Sequence, residues 1–88
     1  MGGDVAMMTR PELERRLVHE GIRPDAYDLE SRRSRDEVYC LERGEAGWVV
    51  YYRERGLRRE ERVFPSETDA CCYFLDLILT DPTTRISR

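Results

Sequence analysis

The side chains with chemistry to offer are three cysteines, one histidine and several close pairs of carboxylates. A thiol nucleophile needs an electropositive, accessible setting and a base within reach. Cys40, Cys71 and Cys72 supply the thiols, and His19 is the single imidazole. His19 falls in the last turn of a predicted helix, and no spacing ties it to a cysteine or a serine. A capping or surface histidine and reduced, buried cysteines are the simpler reading. A zinc site needs about four clustered ligands, commonly as two spaced pairs. Cys71 and Cys72 are adjacent, so a regular helix turns them apart. The acidic pairs Glu12/Glu14, Asp25/Asp28 and Glu60/Glu61 are interleaved with arginine and read as solvated faces. The glycines sit singly in turns or at the terminus, and none forms a phosphate-binding loop. The expectation is therefore no catalytic residue, no metal, no cofactor and no enzymatic activity.

All fifteen basic residues are arginine, which fits a codon bias as readily as a functional choice. Arg32, Arg33 and Arg35 form one cluster, and Arg53, Arg55, Arg58, Arg59 and Arg62 form another beside Tyr51 and Tyr52. Arginine next to aromatic rings is a combination that stacks on nucleotides. It is also the combination enriched at protein–protein hot spots. Glu54, Glu60 and Glu61 interrupt the second cluster, and the eighteen acids leave a net charge of −3. An acidic chain is poorly prepared for a phosphate backbone. Protein binding leads, with Tyr51, Tyr52, Arg53, Glu54, Arg55 and Arg58 as the expected contacts. A nucleic-acid-binding regulator using the arginine clusters is the alternative, and a structural homodimer through the C-terminal helix is the third reading.

Those contacts need a scaffold. At 88 residues the chain makes one domain, with room for about one helical layer on one small sheet. The expected boundaries are a disordered N-terminus over 1–8, an α+β domain over 9–82 and a polar tail over 83–88. No signal peptide or membrane span is legible, and an odd cysteine count is a poor disulfide framework, which together predict a cytoplasmic protein.

Thr9 and Glu12 form a capping box that starts a helix near Arg10, with Pro11 in its first turn and Leu13, Leu17 and Val18 as its apolar stripe. Gly21 and Pro24 end it near Glu20. The stretch from Ala26 to Leu29 offers a short edge strand, with Tyr27 and Leu29 turned inward. Strands are predicted over Glu37–Glu42, Trp48–Arg53 and Arg58–Phe64. Two glycines mark the first turn, and Gly56 supplies positive φ in the second. On the middle strand Trp48, Val50 and Tyr52 share one face, and Val49 and Tyr51 share the other. Ser66 caps a second helix with a broad apolar face from Ala70 to Ile78, ended by Asp81-Pro82. The predicted fold is α+β: an N-terminal helix, a three- to four-stranded antiparallel meander and a C-terminal helix packed on the sheet.

The run Trp48-Val49-Val50-Tyr51-Tyr52-Arg53-Glu54-Arg55-Gly56, then Phe64-Pro65-Ser66-Glu67 and Ala70-Cys71-Cys72-Tyr73-Phe74-Leu75, resembles a group of small bacterial proteins associated with polymorphic toxin systems. The segment around Gly21-Ile22 and Pro24 to Tyr27 is also similar, so the resemblance covers roughly two-thirds of the chain. It implies a non-enzymatic immunity protein that binds and neutralises a cognate toxin domain.

Overall fold

A computed structural model describes residues 7–32 and 35–86. Helix α1 spans Arg10–His19 and helix α2 spans Glu67–Leu79. Four strands form one sheet: β1 Tyr27–Asp28, β2 Val38–Arg43, β3 Trp48–Glu54 and β4 Leu57–Phe64. Their spatial order is β1-β2-β3-β4. The α+β architecture is the one expected. The all-antiparallel meander needs a correction: β1 runs parallel to β2, pairing Tyr27 with Tyr39 and Asp28 with Cys40. The reason is the connection. Parallel neighbours need a connection longer than a hairpin turn, and residues 29–37 stand between the two strands.

Local chemistry sets the helix ends. Thr9 accepts a hydrogen bond from the Glu12 amide, and the Glu12 carboxylate accepts one from the Thr9 amide, completing the capping box. At the other end Gly21 adopts φ 77°. The Gly21 amide donates to the Val18 carbonyl, and the Ile22 amide to the Leu17 carbonyl, at 3.0 Å each. This pair of bonds is a Schellman motif, whose left-handed position glycine occupies without steric cost. Ser66 accepts from the Asp69 amide at 3.1 Å and starts α2.

Both helices lie toward one face of the sheet. Leu13 and Leu17 of α1 join Ala70, Cys71, Phe74, Leu75 and Ile78 of α2, with Leu41, Trp48 and Val50 from the sheet, in the main core. Leu29 is buried in the same core and Tyr27 packs against it, so both turn inward as predicted. The apolar face of α2 is used on the protein's own sheet, while Cys72, Asp69 and Asp76 face solvent.

The domain edges differ from expectation at both ends. Residues 1–6 of the predicted disordered N-terminus lie outside the described residues. Met8 packs against the core, and its amide donates to Thr68 Oγ1 at 3.2 Å. At the C-terminus, 83–86 is no free tail. Thr84 is buried, donating to the Ile78 and Asp81 carbonyls, and Arg85 bridges to Ile22. Its threonine hydroxyl satisfies carbonyls at the end of α2, a role that polarity alone does not reveal.

Candidate protein-binding surface

The β3–β4 hairpin is joined by two residues, Arg55 and Gly56, with φ 54° and 76°. Positive φ at both central positions is the type I′ turn, whose twist matches that of the flanking strands. Gly56 was predicted in this role, and Arg55 shares it. The turn is held from outside. Asp36 Oδ1 accepts from the Gly56 amide at 2.9 Å, and the Glu37 amide donates to the Arg53 carbonyl at 2.6 Å. The segment before β2 is thus tied to the tip of the next hairpin.

A bulge interrupts the hairpin midway. Val50 pairs with Arg62 and Tyr52 with Arg59, so Tyr51 opposes both Glu60 and Glu61. Glu60 takes φ 54° to permit this. All of β4 from Leu57 to Val63 is exposed. It is an edge strand, and its density of charge together with the bulge suits an edge that resists unplanned strand pairing.

Of the six predicted contacts, Tyr51 requires correction: it is 1% exposed. It faces away from the helices, in a second apolar cluster with Val38, Cys40 and Val49. Arg58 of β4, paired with Arg53, reaches over it from the neighbouring strand. The Arg58 guanidinium lies 4.3 Å from the Tyr51 ring centre. The same guanidinium pairs with Glu42 at 3.2 Å and Glu61 at 3.0 Å. The Tyr51 hydroxyl donates a short hydrogen bond to Glu42, a carboxylate whose side chain is only 6% exposed. Burial and this bond push the Tyr51 hydroxyl well above its usual value of 10.

The other five contacts divide. Arg53 is half-buried, its Nε 3.5 Å from Asp36. That contact is an ion-pair distance without hydrogen-bond geometry, and the Nε has no hydrogen bond among the described residues. Glu54 pairs with Arg59 at 3.3 Å. Arg58 is committed to Glu42 and Glu61. Arg55 is exposed at the tip. Tyr52 is half-buried on the helix-facing side, its ring 4.8 Å from that of Tyr39. Leu57, 60% exposed beside this tip, was missed; it lies directly across from Glu54. Its signal was available as a leucine next to the turn glycine in a charged strand.

The arginine cluster is therefore largely neutralised: Arg53, Arg58 and Arg59 each have a carboxylate partner. Arg33 of the other cluster lies outside the described residues. Arg32 pairs with Glu30 at 2.7 Å.

The thiols are placed unfavourably for nucleophilic work. Burial pushes Cys40 up to about 11 and Cys71 up to about 12. Cys72 is exposed. His19 is exposed on α1, and its side chain makes no hydrogen bond or ion pair among the described residues. Among those residues no three His, Cys, Asp or Glu side chains cluster closely enough to hold a metal. No described helix is long and apolar enough to cross a membrane.

In comparisons with known proteins, no family model, no curated protein and no solved structure matches this chain.

Proposed function

We propose that the protein is a non-enzymatic immunity protein that neutralises a toxin by binding it directly through the tip of the β3–β4 hairpin. The observation that carries this reading is a braced, solvent-facing tip. The Arg55-Gly56 turn is tied down by Asp36 and presents Arg55 and Leu57 outward. A pre-ordered loop loses little entropy on docking, which is how a small surface reaches useful affinity. The net charge of −3 also favours encounter with a basic partner. The sequence resemblance to proteins of toxin systems points the same way.

The test starts from the neighbouring gene. Where it encodes a large secreted protein with a variable C-terminal domain, that domain is co-expressed with this protein. Restored growth and a co-purifying complex are expected, with both lost in the R53A/R55A double variant. A complex that survives this double variant moves the contact away from the tip. Absence of any complex removes the reading. Nucleic-acid binding would instead show as salt-dependent retention on DNA or RNA, against which the neutralised arginines stand.

A further inference from the structure

We propose that the sheet face centred on Tyr52 receives a basic side chain of a protein partner, its guanidinium or ammonium group lying over the Tyr52 ring beside the carboxylates of Glu37 and Glu54. The inference deepens the reading of the protein as a binder, and it does not require the partner to be a toxin.

Three rings of this protein carry a guanidinium group. Trp48 carries two guanidinium groups, from Arg10 and Arg43, each 5.1 Å from the ring centre. Arg58 covers Tyr51 at 4.3 Å, and Arg62 covers Tyr73 at 5.6 Å. Tyr52 has no such cover among the described residues. The arginine opposite it in the ladder, Arg59, is turned to Glu54 instead. A half-buried ring with its quadrupole unanswered attracts a cation.

The surroundings select the same ligand. Glu37, Glu54 and Asp81 all act electrostatically on the Tyr52 hydroxyl; burial and these three charges raise it above its usual value. Asp81 already accepts from the Tyr39 hydroxyl at 2.8 Å, and Glu54 is shared with Arg59. Glu37 has no ion pair among the described residues. Arg59 opposes the charge of Glu54 and Arg23 that of Asp81, which leaves Glu37 as the carboxylate without a basic partner among the described residues.

The platform is also firm and open. The Tyr39 ring supports Tyr52 at 4.8 Å and itself packs edge-on against Phe74 in the core. Glu37 is set at φ 61° by the loop that braces the hairpin. Helix α2 ends at Leu79, and Asp81 meets the sheet at Tyr39. Leu57, 60% exposed and opposite Glu54, offers apolar area for the stem of a lysine or arginine.

The isotopically labelled full chain is titrated with an octa-arginine peptide, and amide shifts are followed by NMR. Saturable shifts are expected at Tyr52, Glu54 and Leu57. Tyr52→Leu is expected to weaken binding about three- to fivefold, the size of an exposed cation–π contact. Tyr52→Phe should bind as the parent does, because the ring and not the hydroxyl is the receptor. If Tyr52→Leu spoils the fold, the E37Q/E54Q double variant decides, since it keeps the ring and removes the charges. Equal binding by that variant or by a folded Tyr52→Leu overturns the proposal, as do shifts spread evenly over all acidic surfaces. Toxin rescue that persists in Tyr52→Leu sinks this site alone. Peptide binding without any toxin complex sinks the immunity reading alone.

Discussion

Arg58 and Glu42 meet 3.2 Å apart on the face of the sheet opposite the helices, with the Tyr51 ring beneath the guanidinium. The carboxylate is buried and the arginine is partly exposed, so the pair seals a second apolar cluster with a charged lid. Removing one partner from such a pair costs more than the pair contributes, because a charge is left poorly solvated. Arg58→Ala should therefore destabilise the fold by about 1–2 kcal/mol, discounted because the arginine still reaches water. Urea denaturation measures this. The R58A/E42Q double variant should lose less than the sum of its single variants.

The turn offers a separation of stability from binding. Arg55 occupies a left-handed position that asparagine adopts more readily, and Asn-Gly is the favoured type I′ pair. Arg55→Asn should raise stability by about 0.5 kcal/mol, a fraction of the left-handed penalty. Partner affinity should fall at the same time if the tip is the contact. A thermal scan and a binding titration on the same sample read both.

The core should tolerate no large loss. Phe74 of α2 is fully buried in the main core and supports Tyr39 edge-on. Phe74→Ala should cost about 3–5 kcal/mol, through lost transfer free energy and the cavity left behind. In a domain this small that is a large share of the total stability. Circular dichroism at 37 °C is expected to show substantial unfolding.

Thiol labelling should resolve the cysteines. At pH 8 Cys72 is exposed, whereas Cys40 and Cys71 are buried and held protonated. Rapid reaction with one equivalent of a thiol reagent is expected, abolished by Cys72→Ser. The other two thiols should react only after denaturation.

Stability should fall at both ends of the pH scale, for opposite reasons. Hydrogen bonds from Thr83 and Tyr39 hold the Asp81 carboxyl below its usual value of 3.8. Its contribution is therefore present above that value and is lost as pH falls through the lower folded value. Burial raises the Tyr39 and Tyr51 hydroxyls above 10, and each donates to a carboxylate. Their contribution is present below pH 10 and is lost as pH rises through the folded values. Denaturation midpoints across pH should show a plateau between the two limbs. Asp81→Asn should flatten the acid limb, and Tyr39→Phe should reduce the alkaline one.

Much of this was legible in the residues. The capping box at Thr9, the Gly21 stop, the Gly56 turn and the Ser66 cap are local devices whose geometry follows from neighbours within about four positions. The alternation along Trp48 to Tyr52 likewise announced a strand with two apolar faces. Those features determined two helices, a hairpin and an α+β domain.

What the sequence did not contain was how far the chain bends between elements. The parallel pairing of β1 depends on where the connection over 29–37 returns, and the burial of Thr84 depends on where α2 stops over the sheet. Tyr51 is the clearest case. Alternation puts it with Val49 on the face opposite Trp48, Val50 and Tyr52, just before a run of arginine and glutamate, and the expectation is a partner contact. Cross-strand pairing brings both partners in: Arg58, opposite Arg53, lies over the ring, and Glu42, opposite Val49, meets the Tyr51 hydroxyl from nine positions away. Which residues of other strands stand beside a given ring leaves little trace in the local alternation of β3. That pairing decides which of two adjacent tyrosines is sealed inside and which stays half-buried.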